Sequence, residues 1–306
     1  MRSPRRDGRG GEPSERVPVR SWATSQQPPS TLETVLARDR LIVLLGLVTV
    51  IALAWAYLLL GAGMDMSAMD MAGHDNNMSA QHDLGEAMRR AHAAMLSPAV
   101  WTLGYAMLMV VMWWVMMIAM MLPSASPMIL LFARIQRSQQ AKGAPFVPTG
   151  VFAAGYLIVW GGFSVLAAGT QWGLERAGLL STMLSSTSGR FGGILLLAAG
   201  LYQLTPLKHA CLRHCRSPLQ FITHHWRNGT AGALRMGAEH GAFCLGCCWL
   251  LMGLLFVGGV MNLYWILGLA ILVLLEKTLP VGHWLGSLTG IGLIVWGGWV
   301  LTGTLL

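Results

Sequence analysis

Of the 306 residues, 54% are apolar and 11% are charged, with 20 methionines, five cysteines and a formal net charge of +8. A chain this apolar, whose charges lie outside runs of about 20 apolar residues, belongs in a lipid bilayer. The basic excess does not make a nucleic-acid-binding protein, because Lys and Arg flank the apolar runs and no basic patch is interleaved with aromatics on a soluble domain.

Residues 1–38 are rich in Arg, Gly, Pro and Ser, which predicts a disordered basic tail, and the membrane domain is expected over 39–306. Its first run, LIVLLGLVTVIALAWAYLLL at 41–60, is too long for a cleaved leader and is followed by no small-residue cleavage site, so it predicts an anchor helix. Further runs near 101–122, 150–170, 191–207, 243–260, 263–279 and 286–305 bring the expected fold to an all-α, polytopic transmembrane bundle of about seven helices. Eight Arg stand at or before position 40. Arg134, Arg137 and Lys142 follow the second run, and Lys208, Arg213, Arg216, Arg227 and Arg235 follow the fourth. The opposite side holds Arg89, Arg90, Arg176 and Arg190, so the amino terminus is expected to be cytoplasmic and the loop after the first run to face outward.

That outer loop, 61–97, carries seven of the 20 methionines. Met64, Met66, Met69 and Met71 lie in MDMSAMDM, followed by His74, His82 and His92, with Asp65, Asp70, Asp75, Asp83 and Glu86 between them. A thioether is a soft, neutral ligand that suits Cu(I), while imidazole and carboxylate also take Cu(II). The tract predicts capture of copper in either oxidation state, against the alternative of a solvated linker. The second run continues the pattern. Met109, Met112, Met116 and Met120 fall within about 80° of one another on a helix, with Met107, Met117 and Met121 close by. A stripe of this kind serves equally as core packing. The helix is expected to end at Pro123.

All five cysteines follow the fourth run. KHACLRHCRSP places Cys211 and Cys215 four residues apart, on one face if the fourth helix continues past Pro206, beside His209 and His214 within a loop over 208–242. FCLGCCWLLM opens the fifth helix with Cys244, Cys247 and Cys248, of which Cys244 and Cys248 share a face with Met252. In a reducing compartment these are free thiols, and thiolates bind Cu(I) or zinc. Buried cysteines that only pack are the competing reading. Glu276 and Lys277, near the end of the sixth run, either pair or reach the headgroups. Gly286 and Gly290, in GSLTG, form a helix-packing face. No phosphate-binding loop or phosphorylation sequence supports an ATP-driven pump.

The segments WWVMMIAMMLPSASPM, YQLTPLKHACLRHCRSPLQF, GAFCLGCCWLLMGLLFVGGVMNLYW and EKTLP resemble a bacterial family described as predicted metal-binding integral membrane proteins, some of whose members are labelled copper chaperones. The resemblance covers roughly residues 40–306. It implies a multi-pass helical protein of the bacterial inner membrane with Met116, Met117, Met120, Met121, Cys211, Cys215, Cys244, Cys247 and Cys248 in the family motifs, and it supplies no reaction.

The resulting expectation is a copper-handling membrane protein that captures, transfers or delivers Cu(I), with zinc as the second metal that the thiolates suit. No catalytic residue is assigned, and a non-enzymatic role is preferred. Its partners would be the bilayer and a copper-requiring protein or metallochaperone, and an oligomer is compatible with the sequence. The alternatives are a membrane thiol–disulfide oxidoreductase, exchanging through Cys244 and Cys247 with Cys211 or Cys215 as resolving partner, and a structural subunit of a membrane complex.

Overall fold

Ten helices follow one another through the described residues, which in this computed structural model are 31–60, 101–140, 147–180 and 188–303, with side chains described from 41 onward. They are α1 (Thr31–Leu59), α2 (Leu103–Gln140), α3 (Thr149–Arg176), α4 (Gly189–Gln203), α5 (Pro206–Arg216), α6 (Pro218–His225), α7 (Gly229–Gly253), α8 (Leu255–Gly258), α9 (Leu263–Thr278) and α10 (Gly282–Gly303). Among the described residues no strand forms, so the all-α expectation holds. Of the tail expected to be disordered over 1–38, residues 1–30 lie outside the described ones, and α1 starts at Thr31, within that expected tail and ahead of its apolar run.

Among the described residues five segments are long and apolar enough to cross a membrane: Leu41–Leu59, Leu103–Gln140, Thr149–Arg176, Gly229–Gly258 and Gly282–Gly303. The expected seven is therefore corrected, and the local chemistry explains the difference. The run at 191–207 yields only the 15 residues of α4. The chain then turns at Thr205, whose hydroxyl accepts the Lys208 N–H at 3.3 Å, and Pro206 opens α5 at a position where a missing N–H costs nothing. The run at 263–279 yields the 16 residues of α9, capped by the Asn262 side chain accepting from the Trp265 N–H and halted before Pro280. Helices of this length extend about 23 Å, short of the ~30 Å hydrocarbon layer.

A second correction concerns α2, which does not stop at Pro123. It continues for 38 residues with Pro123 and Pro127 inside it. Proline withholds a donor from the carbonyl four residues back. For Pro127 that carbonyl belongs to Pro123, and the Ser126 hydroxyl donates to it at 2.7 Å. The carbonyl of Met121 likewise accepts from Ser124 Oγ at 2.8 Å and from the Tyr156 hydroxyl at 3.2 Å. The Ser126 hydroxyl thus replaces the donor missing at Pro127, and polar atoms gather near Met121.

The described residues from Asp39 onward form one compact unit, built on two intimate helix pairs. In the pair of α3 with α7, a Cβ on Gly155 would collide with the Leu234 carbonyl and one on Gly237 with the Phe152 carbonyl, so only glycine permits the crossing. In the pair of α4 with α10, Gly193 meets Gly297 and Gly200 meets Gly290. Of the predicted packing face, Gly290 belongs to this second pair, whereas Gly286 faces the side chains of Glu276 and Lys208. Helix α2 packs on α3, α5 on α7, and α9 on α2.

Candidate functional site

Six methionines of α2 are buried at no more than 1% exposure: Met109, Met112, Met116, Met117, Met120 and Met121. Met107 stands apart, 63% exposed. At the Leu103 end of this column α3 supplies a polar cap. Gln171 Nε2 donates to Met109 Sδ at 3.4 Å and to Glu175 Oε1 at 2.9 Å, and its Oε1 accepts from Trp113 Nε1 at 2.8 Å. The other oxygen of Glu175 accepts from Trp101 Nε1 at 2.6 Å. Buried polar groups need such partners, and here every link carries one.

At the other end the column meets the cysteines. Cys244, Cys247 and Cys248 are all within 2% of full burial on the face of α7 that packs inward, where the Cys247 and Cys248 thiols each donate to the Cys244 carbonyl at 3.0 Å. Cys248 Sγ lies 3.8 Å from Met121 Sδ. The Tyr156 hydroxyl, which donates to the Met121 carbonyl, is 3.0 Å from Cys244 Sγ. From α9, Lys277 Nζ donates to Cys244 Sγ at 2.9 Å and to Ser124 Oγ at 3.3 Å, and lies 4.0 Å from Met121 Sδ. Helices α2, α3, α7 and α9 therefore converge on a few ångströms of sulfur and oxygen.

Helix α5 adds the remaining thiols. Cys215 engages Cys244 and Cys247, and these hydrogen bonds, followed by burial, hold its thiol well above the ordinary value. Cys211 packs against the backbone of α7, where a Cβ on Gly246 would lie 2.9 Å from its sulfur, and burial raises its thiol too. All five cysteines are free. Among the described residues no three His, Cys, Asp or Glu groups assemble into a metal-holding set. The donors that do meet here are mixed, thiol with thioether, and the Met121 sulfur is one of them.

The histidines surround the cluster on the α5–α6 side. His240 is buried beside Tyr156, 5.8 Å between ring centroids, and its Nδ1 has no hydrogen-bond partner. His214 stacks on Phe243 at 4.1 Å and His225 on Phe221 at 4.5 Å. With His224, Arg213, Ser217, Gln220 and Phe221 they line a cavity of about 340 Å³. Glu239 pairs with Arg227 and Arg235 at the edge.

Glu276 does not reach outward. It is 2% exposed and accepts from Lys208 Nζ at 2.6 Å and from Gln203 Nε2 at 2.9 Å, with Gly286 of α10 packed against both charged groups. The site residues expected from the sequence thus divide. Met116, Met117, Met120, Met121, Cys211, Cys215, Cys244, Cys247 and Cys248 fall along one column and its end, whereas Met64, Met66, Met69, Met71, His74 and His82 lie outside the described residues. Sequence reasoning passed over Tyr156, Ser124 and Gln171. A lone hydroxyl or amide within an apolar run is the signal that marks such positions, since each must find a buried partner.

No curated protein and no solved structure matches the chain. The family described as PpoB2, copper chaperone, matches residues 110–300, a stretch that takes in the buried methionines from Met112 onward, all five cysteines and Lys277. That stretch is more than half of the chain, which therefore belongs to the PpoB2 copper chaperone family.

Proposed function

We propose that the protein is a multi-pass carrier in a bacterial cytoplasmic membrane with Cu(I) as its cargo, taken up from the outer side by the loop at 61–97, passed along α2 and held at the sulfur cluster for delivery to a copper-requiring partner. One observation carries this reading: the buried thioether column of α2 ends in Met121, whose sulfur is 3.8 Å from Cys248. Thioethers bind Cu(I) without losing a proton and hold it weakly, whereas thiolates hold it tightly, so a path from one to the other runs downhill. The outer loop precedes Trp101, at the end of α2 where the column begins. Past the cluster, Cys215 and Cys211 extend the thiols onto α5, next to the histidine-lined cavity from which a partner would collect the ion.

The test is to load the purified full-length protein with Cu(I) under reducing conditions and count copper per chain. Wild type retains copper, and Cys244→Ser, Cys248→Ser and Met121→Leu each lower the count. Unchanged copper in all three would overturn the proposal. So would a stable Cys244–Cys247 disulfide trapped in cells without bound copper, which would place the chemistry in thiol exchange.

A further inference from the structure

The space among the cluster's donors holds a cation supplied by the protein itself. Lys277 is 7% exposed, and its Nζ lies 2.9 Å from Cys244 Sγ, 3.3 Å from Ser124 Oγ and 4.0 Å from Met121 Sδ. The neighbouring Glu276 is engaged by Lys208 and Gln203, so the contacts of this ammonium are two sulfurs and a hydroxyl, without a carboxylate. An ammonium in apolar surroundings is tolerated only beside a compensating charge, and the Cys244 sulfur is the group placed to provide it.

We infer that Lys277 is the specificity-determining residue of the site: its ammonium is a tethered monovalent cation occupying the position of the incoming ion, and cargo binds by displacing it. The inference rests on the copper reading above. Displaced from Cys244 but still tethered beside it, the ammonium keeps its charge within this buried space, and that charge opposes a divalent ion about twice as strongly as a monovalent one. The displaced ammonium keeps a hydrogen-bond partner in Ser124, next to Pro123 in α2. Its return competes with the ion for Cys244, which turns a thiolate trap into a site that gives up its load.

The experiment uses the full-length protein in nanodiscs with Ag⁺, an air-stable monovalent probe that favours sulfur, and Zn²⁺ as the divalent competitor. Wild type is expected to bind Ag⁺ at the cluster in preference to Zn²⁺. Lys277→Met should hold Ag⁺ with a dissociation rate about tenfold slower and lose about tenfold of its Ag⁺ over Zn²⁺ preference, and Lys277→Arg should restore both. In wild type labelled with ¹⁵N-lysine, Ag⁺ should shift the Nζ resonance that is absent from Lys277→Met; where that variant does not fold, Lys277→Gln serves for assignment. An unchanged preference in the neutral variants, or an Nζ resonance unmoved by Ag⁺, overturns the inference while leaving the copper reading standing. Failure of wild type to bind Ag⁺, or an Ag⁺ count per chain unchanged by loss of both Cys244 and Cys248, overturns the copper reading and this inference with it.

Discussion

Tyr156 joins two walls of the site with one hydroxyl, touching the Met121 carbonyl at 3.2 Å and the Cys244 sulfur at 3.0 Å. Its removal leaves neither partner orphaned, because Ser124 still donates to that carbonyl and Lys277 to that sulfur. Tyr156→Phe is therefore expected to cost about 1 kcal/mol, a fall of a few degrees in Tm, and to loosen the geometry enough to weaken Cu(I) retention severalfold. A thermal melt with a parallel copper titration checks it, and wild-type values in both would show the hydroxyl to be idle. Sulfur itself is isolated by a matched pair of substitutions. Met121→Leu and Met128→Leu both preserve buried bulk and should each cost less than about 1.5 kcal/mol. Only the first removes a donor lying against Cys248, so only Met121→Leu should cut Cu(I) affinity, by about tenfold. Equal affinities in the two variants would reduce the methionine column to packing.

The helices place these residues through close backbone contacts, and that is where substitutions without chemistry should be most damaging. A methyl on Gly155 or Gly237 must push α3 from α7, and with them Tyr156 from Cys244. Gly237→Ala is expected to destabilise by about 1–3 kcal/mol and to lose copper although no donor has changed, which unfolding and metal counts on one preparation would test. The buried Lys208–Glu276 pair offers a contrasting case. Glu276→Ala strands an ammonium and should cost about 3–5 kcal/mol, whereas Lys208→Met with Glu276→Met should recover most of it. A double-mutant cycle in thermal melts decides, and additive losses would mean that the pair does not act as one. The apolar runs and the donor-rich stretches could be read directly, because hydropathy and residue type are local. The run at 191–207 still ended early, since the Thr205 cap and Pro206 outweigh apolarity, and α2 runs on past Pro123 and Pro127, with the Ser126 hydroxyl supplying the donor that Pro127 withholds from the Pro123 carbonyl. The partners of Lys277 were beyond reading. They come from α7 and α2, more than 30 and 150 positions away, and only packing brings them together.

Across the whole molecule, the charge bias of the loops would give the proposed traffic its direction: from the loop at 61–97, down α2, to α5. If the tail and the α5–α6 segment face the cytoplasm, a cysteine introduced by Ser67→Cys is labelled by an impermeant maleimide on intact cells, and labelling that requires permeabilisation would reverse the path. Burial of the cluster then has a consequence for the cell. Cuprous ion in contact with water and hydrogen peroxide generates hydroxyl radicals, and the danger of moving it lies in the moments when solvent can reach it. Cys244, Cys247 and Cys248, each exposed by no more than 2%, and the methionines above them would enclose the proposed route with almost no aqueous surface. An ion carried there is withheld from peroxide for as long as it stays among those sulfurs, so the same packing that positions the donors would also protect the membrane from its own cargo.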